Sequence, residues 1–147
     1  MGDIIATNRQ ARHDYAVFES VEAGIELKGA EVKSLRDGRV SLKDSFARVE
    51  QDGIYLYNCH INPYPLSTQQ LDPIRPRRLL LHKTQINKLA GLVAQRGFTI
   101  VVLKMYFKRG MAKVEIAPAK GKRLYDKREA IKKRDVEREI RRAIHRD

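Results

Sequence analysis

The chain has 147 residues, with 30 Lys and Arg against 18 Asp and Glu, so its net charge is +12 and its pI is near 10. This length predicts one domain with appendages, and the excess of Lys and Arg makes nucleic acid the leading class of partner. The single cysteine excludes a disulfide framework and a thiolate metal cluster, and the lack of an apolar run of about 18 residues excludes a transmembrane helix, so we expect a cytoplasmic protein with no membrane partner.

The first 14 residues are polar and lack the apolar core of a signal peptide, so they predict an irregular, basic lead-in. From Tyr15 to Leu27, apolar residues alternate with acidic ones. This predicts a strand, in which Gly24 indicates a bulge or bend. The apolar residues of 28–38 then have near-helical spacing, and Gly38 is a typical stop after the last turn. A short helix is therefore predicted after the first strand.

Two strand-like runs follow, Val40–Val49 and Ile54–Ile61, and the Asp-Gly pair at 52–53 between them predicts a β-hairpin. Four prolines lie between Asn62 and Arg78. They exclude a regular helix or a central strand, so we predict a long functional loop there. The loop ends in a basic cluster of Arg75, Arg77 and Arg78.

The most regular helical pattern runs from Lys83 to Arg96 and ends at Gly97. The next run, Phe98–Phe107, is apolar on both faces in its first half, which predicts a central strand. Met111–Ala117 alternates, and Pro118 is expected to end that strand. Four or five antiparallel strands with two helices fit a mainly β fold with added helices. The oligonucleotide-binding (OB) barrel, closed or partly open, is the nearest common architecture.

Residues 120–147 contain twelve Lys and Arg against six Asp and Glu, so this fifth of the chain carries half of the net charge. Asp126 and Glu129 have the spacing of a helix capping box, yet Val136, Ile140 and Ile144 make no broad stripe that would dock a helix on a core. We therefore divide the chain into a barrel of residues 1–119 and a basic tail of residues 120–147. The tail is either an arm that a polyanion orders or a solvated helix on the domain surface, and charge alone does not decide.

No constellation of side chains predicts catalysis. The four histidines lack zinc-ligand spacing to one another or to Cys59. Cys59 and His60 are neighbours on a strand, so their side chains point to opposite faces, and a buried Cys beside an exposed His is the favoured interpretation. Glu22, Glu26 and Glu31 could ligate a metal, but solvated acids at a strand–helix boundary are the simpler interpretation. We expect no enzyme activity, no metal and no cofactor.

Four tyrosines are candidates for stacking on splayed bases, which is how barrels commonly grip single-stranded nucleic acid. They are Tyr55, Tyr57, Tyr64 and Tyr106. Tyr55 and Tyr57 fit better as cover for the barrel surface or core, whereas Tyr64 lies in the proline-rich loop and is the better exposed candidate. The pattern leaves open whether the nucleic acid is RNA or DNA.

Several stretches of the chain form a recognisable set. They are NRQARHDY (Asn8–Tyr15), the Phe18–Gly38 segment with EAGIEL and GAEVKSLR, LKDSFARV (Leu42–Val49), NPYP (Asn62–Pro65), RPRRLLLHK (Arg75–Lys83) and the Lys104–Glu129 segment with KMYFKRG, KVEIA and KGKRLYDKRE. Together they resemble the small protein B family, the SsrA-binding proteins of bacteria, over nearly the whole chain.

The resemblance implies a closed OB-type barrel of about six strands with two to three helices. It also implies a protein that binds the tRNA-like domain of transfer-messenger RNA (tmRNA) and serves ribosome rescue, or trans-translation. The protein would replace the missing anticodon arm, and its tail would enter the decoding centre of the small ribosomal subunit and the empty message channel. Elongation factor Tu and alanyl-tRNA synthetase would be indirect partners through the RNA. We expect a monomer.

The resemblance further implies which residues contact RNA. Contacts with the RNA elbow map onto Asn8, Glu22 and Leu80, with Arg9, Arg12, His13, Lys33 and Arg36 nearby. Contacts of the tail with the ribosome map onto Gly121, Lys122, Arg123, Tyr125, Asp126, Lys127, Arg128, Ile140 and Ile144, where Arg123 replaces the lysine usual in the family. An Asn can donate and accept at base edges and a Glu can accept from base amino groups. The residues alone, without the resemblance, would place Leu80 in the core.

Two other functions stay open on the residues alone. One is a structural binder like a ribosomal protein, held permanently in ribosomal RNA by the basic tail, which the composition fits equally well. The other is an enzyme that acts on RNA, for which no pair of residues argues.

Overall fold

The computed structural model describes residues 3–67, 71–122 and 130–144, which form ten strands and four helices. The strands are β1 (Ile4–Thr7), β2 (Tyr15–Val17), β3 (Val21–Ile25), β4 (Val40–Ser41), β5 (Phe46–Glu50), β6 (Gly53–Tyr57), β7 (His60–Ile61), β8 (Arg77–Leu80), β9 (Thr99–Lys108) and β10 (Met111–Gly121). The helices are α1 (Arg9–Asp14), α2 (Gly29–Arg36), α3 (Lys83–Arg96) and α4 (Ala130–Ile144).

Six strands close a barrel in the order β9-β5-β6-β8-β3-β10, and β10 pairs again with β9. All of these pairs are antiparallel. Outside this ring, β1 adds to β9 and β2 adds to β10. The structure therefore confirms the mainly β fold and the closed OB-type barrel of about six strands.

The long hairpin of β9 and β10 is apolar on both faces because each face has its own cover. One face carries side chains into the main core: Ile100, Val102, Met105, Val114 and Ile116. The opposite face forms a second, smaller cluster with Ala11 of α1: Val101, Leu103, Ala117 and Ala119. The first half of β9 is therefore buried on both sides, which confirms the predicted central strand.

The prediction for the N-terminus was wrong, because residues 4–14 are regular. β1 pairs with β9, and the backbone N–H of Asn8 donates to the Leu103 carbonyl at 2.8 Å, just before α1 begins. The strand predicted from Tyr15 to Leu27 is in fact two strands, β2 and β3, which pair with different parts of β10. α1 was not predicted from the residues, but with α2 and α3 it makes three helices, within the two to three that the resemblance implies, and α4 lies in the tail.

Pro118 lies inside β10 and does not end it, contrary to the prediction. The partner of β10 changes at this point, from β3 up to Ile116 to β2 from Ala119 onwards. The Pro118 carbonyl accepts a hydrogen bond from the Phe18 N–H at 3.0 Å. The N–H and C=O of a residue in an antiparallel strand point to the same side. The position of the missing Pro118 N–H therefore lies where β10 changes its partner from β3 to β2. The proline breaks no regular hydrogen bond of the sheet there.

α3 has the predicted bounds and ends at Gly97, whose φ of +68° is left-handed as a helix-ending glycine requires. The predicted hairpin is also confirmed as β5 and β6, in which Glu50 pairs with Gly53. The bounds of its strands were wrong, because residues 40–50 contain β4 and β5, residues 53–61 contain β6 and β7, and β4 pairs with β7 in a separate sheet. The loop ends before Arg77 and not at Arg78, because β8 begins there.

The last helix, α4, packs on α3 and on the main core. Ile140 and Ile144, one turn apart, are each 1% exposed. Arg96 of α3 donates to Glu139 at 2.9 Å, and Arg141 pairs with Glu19 at 3.2 Å. The prediction that the tail has no face to dock was wrong for these turns, since Ile140 and Ile144, at i and i+4, belong to the main core. The described helix fits the alternative of a helix on the domain surface.

The predicted capping box of Asp126 and Glu129 lies outside the described residues. In the part of the chain that the structure describes, no helix combines the length and the apolar character needed to cross a membrane.

Candidate nucleic-acid interface

The outer face of the barrel contains two adjacent rows of paired residues that run across the strands from β1. The first row is Thr7, Lys104, Glu115 and Glu22, and the second is Ile4, Tyr106, Lys113, Gly24 and Leu80. Paired residues in a sheet point to the same face, and neighbouring strands lie about 4.8 Å apart. These two rows, called the outer face below, therefore bring Glu22, Leu80 and the residues next to Asn8 onto one surface.

Glu22 is the acidic centre of the outer face. Its carboxylate accepts a hydrogen bond from the Tyr106 hydroxyl, and its Oε1 lies 3.4 Å from the Lys108 Nζ. The Tyr106 bond, and after it the Lys108 charge, lower the pKa of Glu22 below its ordinary value although burial opposes this. The side chain is still about one-third exposed (36%). Glu22 is thus an ionised, accessible hydrogen-bond acceptor at neutral pH.

Tyr106 is only 8% exposed, so its ring face is not offered for stacking on a base. Burial, and then the bond to Glu22, raise the pKa of its hydroxyl, which keeps the phenol as a donor. Of the other three tyrosines, Tyr55 and Tyr57 donate to Asp52 and Glu50 of their own hairpin and are half-buried. The interpretation that they cover the barrel surface agrees with this.

Leu80 is 49% exposed, so the core position that the residues alone favour is wrong, and the RNA contact implied by the resemblance stays a prediction. Along β8 the side chains alternate, with Leu79 buried and Leu80 outside. Leu80 lies opposite Gly24, where a Cβ would come within 3.2 Å of the Leu80 Cβ. Gly24 is therefore not a bulge but a regular strand position that leaves room for the leucine to lie against the backbone of β3.

Asn8 is only 9% exposed, and its side-chain amide donates to the Val102 carbonyl at 2.9 Å. It therefore fastens the start of α1 to β9, and a direct role at a base edge stays a prediction. Arg9, Arg12 and His13 follow on α1 with exposed side chains. They lie beside the β1 end of the outer face, because α1 directly follows Thr7 in the chain.

Lys33 and Arg36 are exposed on α2 and belong to neither of the two rows that define the outer face. The Lys33 Nζ lies 5.4 Å from the centre of the Tyr64 ring, and the Ser34 hydroxyl donates to the Asn62 carbonyl at 2.7 Å. Both contacts join α2 to the proline-rich loop. Tyr64 is half-buried in this arrangement. Any RNA contact of Lys33 and Arg36 stays a prediction.

Glu31 is buried, so the interpretation of Glu31 as a solvated acid was wrong. It accepts hydrogen bonds from the guanidinium groups of Arg77, at 2.7 Å, and Arg75, at 3.0 Å. Burial opposes its ionisation, yet the bonds from Arg75, the Lys28 N–H and Arg77 hold the pKa of Glu31 below its ordinary value. Arg77 is likewise fully buried and does not belong to an exposed basic cluster. This ion-pair network holds the proline-rich loop against α2.

Cys59 is fully buried, and burial raises the pKa of its thiol to about 11. His60 beside it is exposed, as predicted. The thiol is therefore protonated at neutral pH and faces away from the histidine, an arrangement that does not suit a nucleophile and its base. Among residues 3–67, 71–122 and 130–144, no group of three His, Cys, Asp or Glu side chains is placed to hold a metal ion.

The predicted tail residues fall into three groups. Gly121 ends β10 and Lys122 is exposed just after it. Ile140 and Ile144 are buried against the main core. The remaining predicted contacts lie outside the described residues: Arg123, Tyr125, Asp126, Lys127 and Arg128.

Sequence reasoning missed part of the outer face. The β9–β10 hairpin adds Lys104, Lys108 and Lys113, and the exposed apolar side chains of Ile4 and Met111 lie at its edges. Lys104, Tyr106 and Lys108 occupy alternate positions of one strand, as do Met111, Lys113 and Glu115 of the next. This period of two was available in the sequence and indicates a shared surface. An apolar surface interleaved with lysines can contact bases and phosphates together.

Comparison with known proteins gives consistent findings. The family model described as SmpB protein matches residues 5–146. An SsrA-binding protein of Caldicellulosiruptor bescii is 63% identical over 142 residues, covering 96% of this chain and 90% of that protein. One of Geobacillus thermodenitrificans is 53% identical over 144 residues, covering 97% and 93%. A solved structure described as "tmRNA-SmpB: a journey to the center of the bacterial ribosome" is 49% identical, with a TM-score of 0.67 and 94% of each chain covered.

Proposed function

Because the chain belongs to the SmpB family, we propose that it is a non-catalytic adaptor that binds the tRNA-like domain of tmRNA and is needed for its stable association with stalled ribosomes. The adaptor acts in the cytoplasm as a monomer. Elongation factor Tu and alanyl-tRNA synthetase are its indirect partners, through the RNA. The Cys59 thiol is buried and protonated at neutral pH, so it does not suit the role of a nucleophile.

The observation that carries this proposal is the composition of the outer face. An ionised Glu22 can accept hydrogen bonds from the amino and imino groups of bases, which a purely basic surface cannot do. Leu80 offers an exposed apolar side chain for an unstacked base, and Lys104, Lys108 and Lys113 surround both with positive charge for phosphates. The combination suits recognition of one folded RNA shape rather than any polyanion.

In this proposal the tail contacts a second RNA surface, which belongs to the ribosome. The protein as a whole takes the place of the missing anticodon arm, and residues 120–147 probe the decoding centre and enter the empty message channel. Among the described residues of α4, Arg138, Arg141 and Arg142 are exposed, and they supply charge for ribosomal phosphates. Ile140 and Ile144 have to leave the core for a full insertion. Exposing two isoleucines costs about 3 to 6 kcal/mol, which contacts in the channel must offset.

The test is binding of the full chain to tmRNA, to an ordinary tRNA and to ribosomes over a salt series. An adaptor should prefer tmRNA over tRNA, and this preference should persist as salt weakens phosphate contacts to both RNAs. It should also wash off ribosomes at high salt. Equal affinity for both RNAs would contradict the proposal, and stoichiometric retention on high-salt ribosomes would favour a permanent structural role in ribosomal RNA.

A further inference from the structure

Tyr106 lies in the middle of the outer face with its ring buried and its hydroxyl bonded to Glu22. We propose that Tyr106 is a positioning residue that holds the Glu22 carboxylate in one orientation, so that its remaining lone pairs meet the N–H donors of a base edge. The inference rests on the proposed function, because it concerns how the same surface recognises RNA.

The bond between the two residues spans three strands. β10 lies between β9, which carries Tyr106, and β3, which carries Glu22; Tyr106 pairs with Lys113 and Glu22 pairs with Glu115. Neighbouring strands are about 4.8 Å apart, so the two backbones are roughly 10 Å apart and the phenol ring reaches across β10. The residues are 84 positions apart in the sequence. The closed barrel itself therefore fixes where the hydroxyl stands.

The Glu22 carboxylate keeps room for a further donor. A carboxylate has about four lone-pair sites. The Tyr106 hydroxyl takes one on Oε2, and the Lys108 Nζ lies 3.4 Å from Oε1 and 3.5 Å from Oε2. At least one site is left for RNA. A free glutamate would lose its rotamer freedom on binding, whereas one already held by Tyr106 loses less.

The barrel contains a matched pair that serves as a control. The Tyr57 hydroxyl donates to the Glu50 carboxylate at 2.5 Å. The two residues are seven positions apart on one hairpin, and the Tyr57 ring stacks on Phe46 with 5.6 Å between ring centres. Tyr57→Phe therefore removes the same kind of bond from the same barrel at a place outside the two rows.

The experiment measures the affinity of the full chain for the tRNA-like domain of tmRNA in four variants: Tyr106→Phe, Glu22→Ala, the double variant and Tyr57→Phe. Tyr106→Phe keeps the buried ring, so thermal melting should resemble that of Tyr57→Phe. We expect Tyr106→Phe to weaken binding about five- to tenfold and Tyr57→Phe to leave it unchanged. The double variant should bind no more weakly than Glu22→Ala alone, because alanine leaves the Tyr106 hydroxyl no acceptor to position.

A pH profile separates positioning from general support of the fold. The Tyr106 bond is the largest cause of the lowered pKa of Glu22, which Lys108 and Lys113 also lower. The other charged groups on the adjoining strands are Glu115 and Lys104, whose Nζ lies 5.8 Å from the centre of the Tyr106 ring. Without the hydroxyl, the pKa of Glu22 should rise. Tyr106→Phe should therefore lose affinity at a higher pH than the unchanged chain as the solution is acidified, while Tyr57→Phe should follow the unchanged chain.

The outcomes distinguish this inference from the proposed function. If the unchanged chain shows no preference for the tRNA-like domain over an unrelated RNA duplex, the proposed function fails. If that preference holds and Glu22→Ala weakens binding, but Tyr106→Phe either has no effect or weakens the Glu22→Ala chain equally, then the positioning role alone is overturned.

Discussion

The outer face and α4 both present positive charge, but they are held in different ways. On the outer face, cross-strand pairs on five neighbouring strands fix each side chain, and an acidic acceptor stands among lysines. On α4, the described side chains include the buried Ile140 and Ile144, and Glu139 and Arg141 form ion pairs with Arg96 and Glu19. We expect the fixed face to select one RNA shape, and we expect α4 to exchange its place on the core for a second RNA surface. Net charge alone does not distinguish how the side chains of the outer face and of α4 are held in place.

The prediction with the largest expected effect separates the role of the outer face from the role of the tail. A chain that ends after Lys122 keeps every barrel strand and loses α4. We expect its affinity for tmRNA to be nearly unchanged and rescue of stalled ribosomes to be abolished, because the second RNA surface is missing. A gel-shift titration and a peptide-tagging assay on stalled ribosomes measure the two effects. Equal loss of both would contradict the division into two RNA surfaces.

Truncation also uncovers the part of the core that α4 covers, so it needs a control. Ile140→Ser combined with Ile144→Ser uncovers the same core and keeps all the charges of the tail. The affinity of this double variant for tmRNA should equal that of the truncated chain. A lower affinity of the truncated chain would instead assign part of the tmRNA binding to the charges of the tail.

The next prediction concerns the stability of the barrel and its dependence on the buried ion pairs of Glu31. Glu31→Ala leaves Arg77 buried without its charged partner, which should lower the free energy of unfolding by about 3 to 5 kcal/mol. Because the pKa of Glu31 is lowered from 4.5 in the folded chain, its contribution is present above pH 4.5 and is lost as the pH falls through the folded value. Urea unfolding of both chains at pH 7 and at acidic pH measures this. A pH-independent difference would rule out the ionised pair as the cause.

Glu31 also shows what the sequence could and could not predict. Its spacing near Glu22 and Glu26 resembles a solvated acidic edge, and its partners, Arg75 and Arg77, lie 44 and 46 residues further along the chain. Local pattern contains no information about such contacts. The hairpin and α3 were predictable because periodicity and glycine positions are local, whereas the closed barrel of about six strands was implied by the family resemblance.

The same contrast applies to the two ends of the chain. The N-terminal residues were predicted as irregular because α1 is short and its cover of β9 is a tertiary contact through Ala11. In the tail, the spacing of Ile140 and Ile144 was visible, but the hollow that accepts them is built by α3 and the core. Alternation along β8 would have placed Leu80 outside, whereas a run of three leucines indicates a core.

A smaller effect tests whether the outer face recognises shape or only charge. Glu22→Ala removes a negative charge from a basic protein, so simple electrostatics predicts tighter RNA binding. We expect affinity for tmRNA to fall about tenfold instead, because an accepted hydrogen bond to a charged group is lost. Glu26→Ala removes the same charge from an exposed position next to β3 and is the matched control. An increase in affinity for both variants would show that the outer face attracts RNA only through its positive charge.

The smallest effect concerns Leu80, which separates binding from stability. Leu80→Ala should weaken tmRNA binding by about 1 kcal/mol, or roughly fivefold, because the side chain is half exposed and contributes about half of a full leucine burial to the RNA contact. Its thermal stability should hardly change. The neighbouring Leu79→Ala should do the opposite, since Leu79 is fully buried and its loss should cost about 2 to 5 kcal/mol of folding free energy. If Leu80→Ala lowered stability as much as Leu79→Ala and left RNA affinity intact, the leucine would belong to the barrel and the outer face would have to be redrawn without it.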